Sequence, residues 1–299
     1  MVSEDKVSAG ETGTGEAPPT DGAADQDTAN QSWIKQVLHL SRVELLQLRR
    51  ARITLLYLCG LPVLFAFISF STQGLYSDSG DHVDAGAASL FSMIAPLAAA
   101  MGFLHVANLF AVRRDRHILK RLRVGGVTPS AVYAAATVPV LAFVLVLTLV
   151  LSGIGFAAAG QLPAAPGMLL VAVVLSSVNM TLLGIWFTRF TRSAEAVQLV
   201  ALIPLMLLLF GSGSTLPLEF LSDTVARLAW FTPLAPLVDL FRSAYFGSDF
   251  FGGQVSQVEQ LGTADLWMAS LPAVGLSLLW LAVSCYLLRG LSWSSRSSE

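Results

Sequence analysis

The chain has 299 residues, of which 54% are hydrophobic and only 13% are charged, with a mean hydropathy of +0.66. Soluble domains carry about 25% charged residues, so an ordinary water-soluble globular domain is excluded and an integral membrane protein is indicated. The formal net charge of −2 conceals a segregation of charge by position, and that segregation sets the topology.

Residues 1–31 hold seven acids against one base, Lys6, and no aromatic residue. Such a segment buries too little apolar surface to offset its ordering entropy, which predicts a disordered acidic tail. The first long apolar run begins after position 50, beyond the window of a cleavable signal peptide, so the first span is expected to insert and stay. Between them, residues 33–50 place Ile34, Val37, Leu38, Leu45 and Leu48 at helical spacing. Trp33 leads, and Lys35, His39, Arg42 and Arg49 lie on another side. This suits a helix lying in the membrane interface, with Glu44 interrupting its apolar side.

Six spans follow, near 52–71, 87–112, 131–156, 167–187, 196–212 and 266–288. The two that flank the basic block described next each offer about the 20 apolar residues that cross a bilayer. Pro62, Pro139, Pro204 and Pro272 fall inside spans, where neighbouring helices make proline tolerable. The loop at 72–86 has three Asp and no Lys or Arg. The segment 113–129 is the opposite, RRDRHILKRLRVGGVTP, with six Lys or Arg and one acid. Fifteen of the eighteen Lys and Arg fall on the side of this block and two, Arg227 and Arg242, on the other, Lys6 lying in the tail. The positive-inside rule therefore predicts both termini in the cytoplasm.

Residues 213–265 are too polar and broken for one span and too apolar for a free loop. Two short helices are expected there, over 219–230 with an Asp223–Arg227 pair and over 237–246 with an Asp239–Arg242 pair. They either re-enter the membrane from outside, shielded by protein, or form a helical cap in the interface. Within the spans, His105, Asn108 and Asn179 either line a path or hydrogen-bond neighbouring helices.

The chemistry of catalysis is missing from this inventory. Cys59 and Cys285 are isolated in apolar runs, which gives neither a disulfide framework nor a metal site. No Walker-type loop or dinucleotide glycine pattern occurs, and no charged residue lies deep in a span as ion coupling would need. The basic block is short and lacks interleaved aromatics, which disfavours nucleic acid as its partner. If the protein moves a substrate, a partner must supply the energy.

The basic block contains Arg114-Asp115, then Leu119-Lys120-Arg121-Leu122-Arg123, then Thr128-Pro129. The long segment contains Gly213, Pro217-Leu218-Glu219, Pro233-Leu234, Val238-Asp239, Arg242 and Gly247. In this order and on these sides, the two patches resemble the permease subunit of ABC-2 type exporters. The resemblance extends from residue 32 to the end of the chain. It implies an all-α integral membrane domain over 32–299 with six transmembrane helices, an amphipathic N-terminal connecting helix and short re-entrant helices between spans 5 and 6.

The resemblance also implies roles. Arg116, Leu119, Lys120, Arg121, Leu122 and Arg123 would couple to an ATPase, with Leu119 and Leu122 as apolar knobs. Trp33, Lys35 and Arg42 would belong to the connecting helix. Pro217, Leu218, Glu219, Asp239 and Arg242 would form an outer gate. ATP and Mg would sit on two separate ATPase subunits, with no cofactor on this chain. A second permease half, identical or not, would complete the path in a bacterial plasma membrane. The substrate would be hydrophobic or amphipathic: a drug, antibiotic, lipid or glycan. Two other classes are weighed beside this one. A non-transporting assembly, sensor or resistance protein would lack an ATPase partner. A lipid enzyme would need clustered Asp, His or Lys at the interface, which the sequence lacks.

Overall fold

The computed structural model describes residues 22–50 and 83–289 except 192 and 257, together with positions 60, 64, 67, 71 and 74. Most of the expected first span and outer loop, the tail at 1–21, Arg192 and the C-terminal 290–299 lie outside the described residues. The described residues are helical and form no strand, apart from an isolated antiparallel bridge between Ser248 and Gln260.

Helix α1 is Gly22–Arg50. It starts ten residues before the expected end of the disordered tail, so residues 22–31 are helical. No Pro or Gly follows Gly22 within it.

A broken helix comes next, running from residue 85 to 115 as α2 (Ala85–Ser92), α3 (Ile94–Ala99), a π-helical segment (Ala100–His105) and α4 (Val106–Asp115). Asp84 caps its start, accepting from the Ala87 N–H at 2.7 Å. Pro96 has no N–H to offer the Ser92 carbonyl, and the helix breaks at Met93. Then His117, at φ 55, turns the chain into α5 (Ile118–Val124).

Thr128 caps α6 (Pro129–Ala159) by accepting from the Ala131 N–H, and Pro129 occupies the first helical position. This is the physical sense of the Thr-Pro pair: one residue satisfies an orphan donor and the other has none to satisfy. After α7 (Pro166–Phe187), a short apolar stretch forms α8 (Ala194–Val200) and α9 (Leu202–Phe210), separated by a turn at Ala201. Then follow α10 (Asp223–Trp230), α11 (Ala235–Phe246) and α12 (Thr263–Arg289).

Four of these stretches are long and apolar enough to cross a membrane: 85–115, α6, α7 and α12. The 194–210 stretch has 17 residues, about 25 Å of helix.

Helix α7 is the centre. Its polar Ser176, Ser177, Asn179 and Thr181 are buried along with its apolar residues, against the π segment, α6, α11 and α12. Two glycines allow the closest approach. A Cβ on Gly184 would lie 2.6 Å from the Phe103 carbonyl oxygen, and one on Gly102 would lie 2.7 Å from the Met180 Cβ. Because Gly184 faces backbone, Gly184→Ala must push α7 off the π segment. We expect it to cost about 1–3 kcal/mol of unfolding free energy in detergent; wild-type stability would rule out this tight crossing.

Helices α6 and α12 flank the centre and leave apolar faces uncovered, as at Leu149, Ile154, Leu271 and Leu279. Helix α11 is the opposite case. All twelve of its residues are buried, including Asp239 and Arg242.

Candidate functional site

At the end carrying the basic block, three elements are tied together by polar contacts. Glu44 of α1 pairs with Arg113 of α4, and both side chains are about nine-tenths buried. Arg113 also lies over the Phe110 ring, 5.7 Å from its centroid. Glu44 is thus not a flaw in an apolar stripe but one half of a buried ion pair between α1 and α4. Beside it, Arg114 donates to the Thr188 carbonyl at 2.7 Å and Asp115 accepts from the Ala194 N–H at 2.9 Å. The Arg114-Asp115 pair therefore clips the turn between α7 and α8 to the end of α4.

Helix α1 is pinned to the same region. Trp33 donates its indole N–H to the Ser130 hydroxyl at 3.1 Å. The Gln36 side chain accepts from the Thr128 N–H and donates to the Gly126 carbonyl. Lys35 and Arg42 stay exposed.

The short helix α5 differs from its expected orientation. Leu119 is buried in the protein's own core, and Leu122 is half-buried against that core. The two leucines are not outward knobs: with only seven residues, α5 needs its apolar side to hold it to the bundle. What α5 presents outward is Lys120, Arg121 and Arg123, with Val124 90% exposed, and Arg116 exposed just before the helix.

At the opposite end, Arg242 and Asp239 form a buried polar node. The Arg242 Nε donates to the Ser92 hydroxyl at 2.6 Å, and its Nη2 donates to the Gly213 carbonyl. Asp239 lies 3.9 Å from Arg242. Its Oδ2 accepts from the Trp230 indole at 2.9 Å and from the N–H groups of Gly252 and Gly253 at 3.1 and 3.2 Å. One buried pair thus gathers α2, the end of α9, α10 and the 252–253 turn.

Glu219 holds the next turn, accepting from Val255 and Ser256 N–H groups at 3.2 Å and from the Ser256 hydroxyl at 2.6 Å. Pro217 and Leu218 are buried, and Leu218 packs so close to Gly253, at φ 77, that a Cβ there would lie 2.7 Å from it. The expected Asp239–Arg242 pair is present; the Asp223–Arg227 ion pair is not formed. Together, Pro217, Leu218, Glu219, Asp239 and Arg242 brace one turn cluster.

The polar residues expected in the spans are dispersed. Asn179 is fully buried and donates to the Ser277 carbonyl at 3.1 Å, which ties α7 to α12. His105 and Asn108, at the end of the π segment and in α4, are half-buried and do not hydrogen-bond each other. Sequence reasoning missed Ser92 as the partner of Arg242. The signal was Pro96, whose missing N–H breaks the helix there. It also missed Arg113 as the partner of Glu44, for which 69 positions of separation left no local pattern.

No curated protein matches the chain. Residues 35–246 match the model of the ABC-2 type transporter, from the exposed Lys35 of α1 through α5 to the last residue of α11. That match covers more than two thirds of the chain and both ends just described, and the protein belongs to the ABC-2 type transporter family.

Proposed function

We propose that this transporter permease is the membrane half of an ATP-driven exporter, powered by separate ATPase subunits that dock on α5. The family normally works with ABC ATPase subunits. The observation that carries the reading is the exposed face of α5. There Arg116, Lys120, Arg121 and Arg123 are all exposed around Val124, a cationic patch complementary to a groove with an acidic rim. Behind it, Leu119, the Glu44–Arg113 pair and the Arg114-Asp115 clip connect that face to α1, α4 and the α7–α8 turn. A push on α5 thus reaches several spans at once.

In this reading the protein has six spans, with the fifth formed by α8 and α9. Both termini lie in the cytoplasm of a bacterial cell. Two permease halves, identical or not, pair to enclose the path, and each engages one ATPase that holds ATP and Mg. The cargo is a hydrophobic or amphipathic drug, antibiotic, lipid or glycan.

Helices α10 and α11 form a hairpin re-entering from the outer face. Supporting this, the Trp280 indole donates to the Phe231 carbonyl at 2.9 Å. Trp280 is eighteen residues into α12, about 25 Å from its outer end by helix rise. In this reading the α10–α11 connection reaches well into the membrane's thickness, where the Trp280 indole satisfies the Phe231 carbonyl.

The test is co-purification and substrate-stimulated ATP hydrolysis with the partner ATPase. The triple change Arg121→Glu, Arg123→Glu and Val124→Asp should abolish both while leaving insertion intact. Leu119→Ala should instead lower stability by about 2–5 kcal/mol, because it empties a core position. Full complex formation by the triple variant would sink the docking proposal.

A further inference from the structure

Helix α5 and the segment that precedes α1 carry opposite charge. On α5 and just before it, Arg116, Arg121 and Arg123 are exposed, and the helix itself, ILKRLRV, contains no acid. Two carboxylates of this end are committed elsewhere: Glu44 pairs with Arg113, and Asp115 accepts from the Ala194 N–H beside Arg114. A third, Glu195, stands on α8. Residues 1–21, by contrast, hold Glu4, Asp5, Glu11, Glu16 and Asp21 against the single Lys6. The pinning of α1 brings this segment's root close to α5. Gln36 donates to the Gly126 carbonyl at 3.4 Å and accepts from the Thr128 N–H at 3.3 Å, just past the end of α5. From Gln36 back to Gly22 is about 21 Å of helix. The residues before Gly22 can span up to about 70 Å, far more than a return to α5 requires.

We propose that residues 1–21 occupy the cationic face of α5 until an ATPase subunit displaces them. The inference rests on the docking of the ATPase at α5 and adds an internal competitor for that surface. The five carboxylates meet the guanidinium groups of Arg116, Arg121 and Arg123, and the same charge keeps the segment off an anionic leaflet. Exposed ion pairs are individually weak, but a segment on the same chain is present at about millimolar effective concentration. Such a competitor does not forbid docking. It raises the ATPase concentration that docking needs, and it holds off acidic proteins whose surfaces match α5 less well.

The experiment uses the full chain reconstituted in phosphatidylcholine nanodiscs, titrated with the partner ATPase. Glu4→Gln, Asp5→Asn, Glu11→Gln, Glu16→Gln and Asp21→Asn together remove the charge and keep the length. This variant should bind the ATPase about threefold to tenfold more tightly than wild type at low salt. The gain should vanish at about 0.5 M salt. A chain with residues 1–21 shuffled and their charges kept should bind as wild type does. Position is read separately, without the ATPase, in a chain carrying Cys59→Ala and Cys285→Ala. There Glu11→Cys should form a disulfide with Val124→Cys under a mild oxidant, and adding the ATPase should suppress it.

A disulfide from Glu11→Cys to Lys35→Cys in place of Val124→Cys overturns the proposal, because it puts the segment on α1. An ATPase that binds wild type and the neutralised variant equally well refutes the competition alone. One that binds neither refutes the docking on α5 and takes the competition with it.

Discussion

Arg242→Met is expected to destabilise the protein by about 3–5 kcal/mol, read as a loss of unfolding free energy in detergent and of delivery to the membrane. The physical cause is the group left behind. Asp239 is 1% exposed and loses the cation beside it, while the Ser92 hydroxyl and Gly213 carbonyl lose their donor. Three N–H donors still reach Asp239, from Trp230, Gly252 and Gly253, so the carboxylate is not wholly abandoned. Adding Asp239→Asn to Arg242→Met should recover much of the loss, because removing both members of a buried pair costs less than removing one. Additive losses in the double variant would mean that the two charges do not sense each other, and that the node is held by its hydrogen bonds alone.

Arg113→Met should have the next largest effect, about 3 kcal/mol, because it strands the Glu44 carboxylate, itself only 8% exposed. The measurement that matters is paired. Glu44→Gln keeps the shape of the side chain and removes the charge, so it should cost less stability than Arg113→Met. Both should nevertheless weaken transport per ATP hydrolysed, since both cut the tie between α1 and α4. Exchanging the partners, Glu44→Arg with Arg113→Glu, should restore part of that yield. If the exchange behaves no better than its worse single variant, the ion pair is a packing feature rather than a mechanical link.

The sequence made the long elements readable because composition dominates them. Helices α6, α7 and α12 start and end within three residues of the expected spans. Each is an apolar run closed by a Pro, a Gly or a charge. The Asp239–Arg242 pair was visible because three positions of separation place two residues on one helix face. The same logic failed for Asp223 and Arg227, which lie on a helix exposed enough for each charge to remain in solvent.

Contacts between distant segments were illegible. Glu44 read as an interruption until Arg113 was placed opposite it, and Leu119 read as an outward knob until the tether of α5 was seen. The broken helix at 85–115 was the hardest case. Its limits were clear, but Pro96 and the π segment at 100–105 change the register of every side chain below them. A single helical wheel drawn through that span therefore misplaces His105 and Asn108.

The pairing of Asp239 with Arg242 has an electrical consequence. A charge carried across a membrane holding 100 mV exchanges about 2.3 kcal/mol with the field. The two residues share one helix, three positions apart, so any motion of α11 carries both and displaces no net charge. The membrane voltage can neither drive nor oppose that motion. A pair that is neutral in this sense leaves α11 to respond to its contacts with α2, α3, α7, α10 and α12, which suits the proposed exporter, in which work is delivered from the far end.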